Sequence, residues 1–343
     1  MSSSIPIANL YYLLCYAWDR LDQGNLVDVS SLPSTELADL FALVLCDGIH
    51  HLARRGLEQS YDVREEELGG IRGRIDISQS LRRSLFFQGR AHCRFDELTV
   101  DTPANRILKS TLVALLELKE LDPKLRHRTY RTSQLLHGIR TVRISPRDFE
   151  SVRVTSNNLF YRFLLNVCKL VFESLLVDER TGETKFRDFT RDEAKMALLF
   201  QSFLFNFIAR ECSEWKVKAE NIAWQATSVT DPELRLLPRM QTDISAFRLG
   251  EYRIIDAKFY QRSVGSYFGS EKFHSDNLYQ ICSYLLNARP MGHIQASGVL
   301  IYPRVDRQIR QRYEIAGRTV SIYTVDLNAP WPAIDKELRE LMR

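Results

Sequence analysis

The chain has 343 residues, of which 45% are hydrophobic and 26% charged, with a formal net charge of +4 at pH 7. That length and apolar content suit a soluble globular protein of two ordinary domains, and the mild basic excess tolerates a polyanionic partner without pointing to one. The opening MSSSIPIANLYYLLCYAWDR has no positively charged leader and its apolar residues are interrupted, so neither a signal peptide nor a membrane span is expected, and the protein reads as cytoplasmic. Cys15, Cys46, Cys93, Cys168, Cys212 and Cys282 are far apart and form no C-x-x-C pair, the pattern of reduced core thiols rather than of structural zinc.

Helical periodicity covers residues 5–18 and 36–54, and DTPANRILKSTLVALLELKE opens with Thr102 as a cap and Pro103 at the first helical position. Between them SYDVREEELGGIRGRIDI alternates around a glycine turn and predicts a small sheet. Residues 157–176 form a strong amphipathic helix, followed by the polar segment VDERTGETKFRDFTRDE, read as a linker or hinge; the domains expected are 1–155 and 156–343. After the hinge come a helix (EAKMALLFQSFLFNFIARE), strand-like pieces near 216–226, 238–247 and 252–260, a helix over 276–287 and a strand at 298–302.

Two of those pieces hold acids where a core is expected. Acid-x-lysine occurs six times in the chain, so the pattern alone carries little, but Asp256-Ala257-Lys258 is the instance lying mid-strand beside another acid. Strand alternation puts Asp256 and Lys258 on one face and Ile255, Ala257 and Phe259 on the other. On the preceding strand Met240, Thr242, Ile244 and Ala246 form the apolar set, which leaves Gln241, Asp243 and Ser245 on the open face. A turn symmetric about Leu249-Gly250 sets Asp243 opposite Asp256. Opposed side chains on antiparallel strands have Cβ atoms roughly 4.5–5.5 Å apart, where like charges repel unless something compensates. A divalent cation with oxygen ligands, Mg²⁺ above all, is the natural compensation, with Lys258 placed to orient water and offset charge at a phosphodiester. A surface strand with an ordinary ion pair is the plainer alternative. Downstream, HSDNLYQICSYLL sets Gln280 and Tyr284 four residues apart on one helical face, in reach of a metal-bound water or a DNA backbone, or simply on the polar side of a half-buried helix. Arg304, Arg307, Arg310 and Arg312 in RVDRQIRQRY form either a phosphate contact or a solvated basic loop, and His50-His51 and His274 lack metal-ligand spacing.

These residues resemble the PD-(D/E)XK nuclease superfamily, and within it the McrC family of nuclease subunits of McrBC modification-dependent restriction systems. The likeness runs along nearly the whole chain, through IPIANLYYLLCYAW, GIRGRID, CRFDELTVDTPANRILKSTL, LLPRMQTDI, IIDAKFY and EKFHSDNLYQICSYL. It implies an α+β N-terminal domain followed by an α/β restriction-endonuclease-like domain with an αβββαβ core. It also implies Asp243 and Asp256 as Mg²⁺ ligands, Lys258 as the catalytic lysine, and Gln280 with Tyr284 as a Q-x-x-x-Y element, with Gln280 serving catalysis and Tyr284 nucleic-acid binding. Many members carry a glutamate on the first core helix where this chain has Gln201, which is not assigned as a ligand. The implied partner is a hexameric McrB-like AAA+ GTPase, whose pore receives the N-terminal domain and whose GTP hydrolysis is stimulated. GTP would be bound by that partner, since this chain has no G-x-x-x-x-G-K-[ST] and none of its 15 glycines precedes a lysine. The implied substrate is double-stranded DNA carrying 5-methylcytosine, cut by complexes that dimerise. The alternatives are a repair nuclease of the same superfamily working with another motor, and a non-catalytic adaptor that activates the GTPase. Arg72, Arg74, Asp76, Arg94, Asp96 and Glu97 are candidates for the partner contact or for ordinary surface ion pairs.

Overall fold

The computed structural model describes residues 5–19, 29, 36–152, 159–177, 184–260, 265–267, 270–288, 296–305 and 307–343. Two compact units emerge, one from Met1–Ser31 with Asp188–Arg343 and the other from Leu32–Arg187. The division therefore runs differently from 1–155 and 156–343, and each difference has a side-chain cause. Helix α1 (Ile7–Ala17) belongs with the C-terminal residues: the Asn9 amide donates to the Leu327 and Ala329 carbonyls at 2.8 Å, and Tyr12 stacks on Trp331 with ring centroids 4.8 Å apart. Part of the expected hinge, residues 178–183, lies outside the described residues.

The inserted unit starts with α2 (Leu37–Arg55), buried along most of its length. Strands β1 (Ser60–Leu68) and β2 (Arg74–Ile75) follow, then the short α3 (Ile77–Arg82) and β3 (Ala91–Thr99). The expected small sheet exists, but β1 and β2 do not pair with each other; both pair antiparallel with β3, in the order β1-β3-β2. Gly73 explains the route: its φ is +65°, and an added Cβ would stand 2.4 Å from the Arg94 carbonyl oxygen, so only glycine lets the chain turn this close to β3. Helices α4 (Pro103–Leu116), α5 (Pro123–Leu135), α6 (Pro146–Ser151) and α7 (Leu159–Ser174) complete it with a hairpin of β4 (Leu175–Val177) and β5 (Thr184–Phe186). The DTPANR motif works here as a structural lock. Thr102 Oγ1 caps α4 by accepting the Asn105 N–H; the Asn105 amide donates to the Glu58 and Val100 carbonyls, and its oxygen accepts the Tyr161 hydroxyl at 2.9 Å. Every polar atom of that buried amide is satisfied, which ties α7 to this unit.

The other unit is built on a six-stranded mixed sheet. Helix α8 (Glu193–Glu211) precedes β6 (Lys216–Lys218), a small pair β7 (Asn221–Ile222) and β8 (Met240–Gln241), then β9 (Ile244–Arg248) and β10 (Glu251–Ala257). A hairpin of β11 (Gly265–Tyr267) and β12 (Ser270–Lys272) leads to α9 (Ser275–Asn287) and β13 (Ala296–Pro303), followed by β14 (Arg310–Ile315), β15 (Arg318–Val325) and α10 (Trp331–Met342). The sheet order is β14-β15-β13-β10-β9-β6, with β10, β13 and β15 parallel. Helix, strands, helix, strand is the order expected, with two strands and a helix added beyond it. The basic stretch expected as a loop is in part the edge strand β14, whose Arg310 reaches Glu337 at 3.1 Å, while Arg304 pairs with Asp326.

Strand β10 is central and buried on both sides. Phe259, just past its end, meets Phe200 of α8 on one face, while Ile254 shares a core with Ile281, Tyr284 and Leu285 of α9 on the other. The face expected to be open, that of Asp256, is thus roofed by α9. Ser245, also placed on the open face, is fully buried and shares a hydroxyl network with Thr242 and Tyr252. Alternation of polar and apolar residues reads as one wet face, and a helix laid over the sheet gives the same pattern with polar groups bonded to one another.

Candidate active site

The turn at Leu249-Gly250 sets the register that symmetry predicts: Glu251 pairs with Arg248, and the ladder runs to Ile255 opposite Ile244. One more step would put Asp256 opposite Asp243, but the chain bends at Asp243, one residue before β9 begins. Its carboxylate crosses to β10 instead, where Oδ2 accepts the Ala257 N–H at 2.9 Å. Beyond Ala257 the Lys258 N–H continues the parallel ladder by donating to the Ile301 carbonyl at 2.9 Å, so the lysine backbone is held although the strand has ended.

From there a chain of contacts crosses to α9. Lys258 Nζ lies 2.9 Å from Asp256 Oδ2 and donates to Gln280 Oε1 at 2.8 Å. The Gln280 amide nitrogen donates to the Tyr284 hydroxyl at 2.8 Å, and that hydroxyl donates to the Gln241 carbonyl at 2.9 Å. Helical spacing of four residues brings Gln280 and Tyr284 to the same site. The structure thus brings Asp243, Asp256, Lys258, Gln280 and Tyr284 together. Tyr284 is 5% exposed, and its hydroxyl is bonded both to Gln280 and to the strand.

The electrostatics are those of a cation site. Asp256 is 1% exposed, and neither carboxylate oxygen receives an aligned hydrogen bond; its contact with Lys258 is an ion pair. Burial drives its pKa upward, with Lys258 pulling the other way. Burial and then the Asp256 charge push Asp243 up to about 6, opposed by the Ala257 N–H and Lys258. For Lys258 burial alone would lower the pKa, but the attraction of Asp256, followed by that of Asp243, outweighs it and raises the value. Two desolvated carboxylates share one ammonium, which leaves negative charge that a hard divalent cation with oxygen ligands would neutralise. Among the described residues no group of three or more His, Cys, Asp or Glu side chains is arranged to hold a metal ion, so an ion here would rest on Asp243 and Asp256 with water or substrate oxygens completing its shell.

A second network beside the site was not foreseen from the sequence. The Tyr260 hydroxyl donates to Asn277 Oδ1 at 3.2 Å, and the Asn277 amide donates to the Tyr302 hydroxyl at 3.0 Å. Burial, and to a smaller degree Asp256, raise the Tyr302 pKa to about 12. Asn277 and Gln280 lie three residues apart on α9, a spacing that gives the only sequence clue to it. In GIRGRID and CRFDE, Arg72 covers the Phe95 ring at 4.0 Å and approaches Glu97 at 3.6 Å, Arg94 approaches Glu65 at 3.8 Å, and Asp76 caps α3.

A mixed sheet with two acids and a lysine at the end of a central strand defines a class of α/β protein, and comparison with known proteins narrows it. Residues 7–303 match the family model for the McrBC 5-methylcytosine restriction system component, and the chain belongs to that family. It is 37% identical over 337 residues to the type IV methyl-directed restriction enzyme EcoKMcrBC of Escherichia coli (strain K12), covering 98% of this chain and 97% of that protein. Among solved structures it is similar to a chain of the Thermococcus gammatolerans half-complex of McrB AAA+ hexamers with bound McrC. There the TM-score is 0.63 at 17% identity, over 98% of this chain and 75% of that one, a likeness of fold. All six cysteines are free, and no described helix is long and apolar enough to cross a membrane.

Proposed function

We propose that this chain is the Mg²⁺-dependent endonuclease subunit of a GTP-driven, modification-dependent restriction complex, with a PD-(D/E)XK site at the end of β10. The observation that carries the reading is the convergence of Asp243, Asp256 and Lys258, with Gln280 holding the lysine from α9. Asp243 and Asp256 would hold Mg²⁺, which when bound supplies positive charge at a phosphodiester and lowers the pKa of water. The chain's own residues do the positioning. Asp256 keeps the Lys258 ammonium charged and at the mouth of the site, where it can meet developing negative charge on the phosphoryl oxygens. Gln280 and Tyr284 fix the lysine against α9, so the charge is in place before substrate arrives.

The inserted unit, rather than residues 1–155, is the part we assign to the McrB-like GTPase, because residues 1–31 belong with the unit that carries the acidic site. On this reading the substrate is methylated double-stranded DNA and the complexes dimerise to cut both strands, with GTP bound by the hexameric partner. An inert adaptor would have no use for a buried carboxylate pair that costs stability.

The test is cleavage of methylated plasmid with Mg²⁺, GTP and the McrB-like ring, with GTP turnover recorded in the same tubes. Asp256→Ala is expected to lose cleavage by at least a hundredfold while stimulated GTP hydrolysis persists. A variant that still cuts would place the chemistry elsewhere.

A further inference from the structure

The inserted unit carries a second charged feature that the acidic site does not use. Helix α5 bears Lys124, Arg126, His127, Arg128 and Arg131, with no acid between Pro123 and Leu135. Like charges four residues apart repel on a helix, as Lys124 and Arg128 do here. Arg126 is accounted for, since its guanidinium donates to the Leu116 and Leu118 carbonyls and closes the end of α4. His127, Arg128 and Arg131 border an open cleft of about 600 Å³ whose lining also includes His50 of α2, Gln134 and Leu135, while Lys124 lies outside the cleft on the same exposed stripe of α5 as His127 and Arg131.

No acid lines this cleft among the described residues, and the acid that reaches Arg128 from α2 is Asp47. His50 and Arg54 from its own helix also act on its charge. The His50 ring donates through Nδ1 to the Cys46 carbonyl at 2.7 Å, which leaves Nε2 as the ring nitrogen not committed to the helix. Lys124, His127 and Arg131 are exposed, and no ion pair joins them to an acid among the described residues. What remains is a concave surface of one sign with a single apolar residue, Leu135, in its lining. Cations of one sign suit a duplex, which presents a charge every ~3.4 Å per strand and whose backbone is gripped without base contacts. Lys124 and Arg131 stand seven residues apart on α5, about 10 Å along the axis, enough to meet several phosphates.

We propose that the exposed stripe of α5, with the cleft beside it, is a second DNA-contact site, gripping the phosphodiester backbone through Lys124, His127 and Arg131 without regard to sequence. It rests on the nuclease reading only for the identity of the polyanion.

The test is fluorescence anisotropy of a labelled duplex with the full chain in EDTA, across a salt series. Wild type is compared with Lys124→Gln/His127→Gln/Arg131→Gln and with a control, Arg82→Gln/Arg147→Gln/Lys336→Gln, that removes three exposed cations elsewhere. The cleft variant should bind about tenfold or more weaker, with the salt slope reduced by about two, while the control stays near wild type. Should the triple variant fail to fold, Arg131→Gln alone should lower the slope by about one. Unchanged affinity and slope, an equal loss in the control, or a wild type that does not bind duplex would each overturn the proposal. Cleavage is not read here, so this result stands apart from the Asp256→Ala test: a wild type that cuts while the cleft variant binds normally sinks the cleft alone.

Discussion

A carboxylate of ordinary pKa is ionised at pH 5, whereas Asp243, pushed up to about 6 by burial and by its neighbour Asp256, still holds most of its proton there. Between about 4 and 6 the metal-free folded protein keeps a proton that the unfolded chain has released. Stability of that form therefore falls as pH rises through this window and stays lower above it. The full shift corresponds to about 3 kcal/mol, and partial solvent access reduces this to about 1–2 kcal/mol. Asp243→Asn removes the titration while its side-chain oxygen can still accept the Ala257 N–H. In EDTA the variant should match wild type below about pH 4 and exceed it by about 1–2 kcal/mol at pH 7, measured by urea denaturation. A variant less stable than wild type at pH 7 would mean the carboxylate is not strained there. At this scale the site was legible: Asp256-Ala257-Lys258 stood out by its strand context, and Gln280 and Tyr284 by their spacing. What spacing could not give was the direction of each bond, such as that of the buried Tyr284 hydroxyl to the Gln241 carbonyl.

At the scale of elements, the placement of Gln280 depends on how closely α9 lies on β13. Gly298 sets that distance: a Cβ there would stand 2.7 Å from Ile281 Cγ1 and 3.0 Å from Leu285 Cδ1. Gly298→Ala should push α9 outward, costing about 1–3 kcal/mol by overpacking, with cleavage falling by more than the loss of folded protein accounts for because Lys258 loses its glutamine. Thermal melts and single-turnover cleavage of the same preparation separate the two effects, and a variant with normal turnover per folded molecule would show that α9 has slack. The β9–β10 register was readable because a two-residue turn fixes it. The cover over Asp256 was not, since the apolar stripe of α9 says that the helix packs but not on which strand. The β1-β3-β2 order was hidden for a related reason: alternation marks strands and leaves their partners unnamed.

For the whole molecule, the charge left in the acidic site predicts a linkage. Mg²⁺ that binds the folded form alone should stabilise it by about 2.7 kcal/mol at a hundredfold excess over its Kd. The melting transition of the sheet unit should then rise by roughly 5–10 °C, with no rise in Asp256→Ala. A rise that survives Asp256→Ala, seen by calorimetry, would put the ion elsewhere.

The sequence by itself determined the strands and helices around the site, the identity of its acids and lysine, and the family, because each of these is written in local periodicity or in contiguous motifs. Only the tertiary structure decided that α1 joins the C-terminal residues through Asn9 and that α7 joins the inserted unit through Tyr161. It likewise decided that His127, Arg128 and Arg131 of α5 share one cleft with His50 of α2. Those outcomes rest on contacts between residues distant in the chain, where hydrogen bonds and packing choose partners that no local pattern specifies.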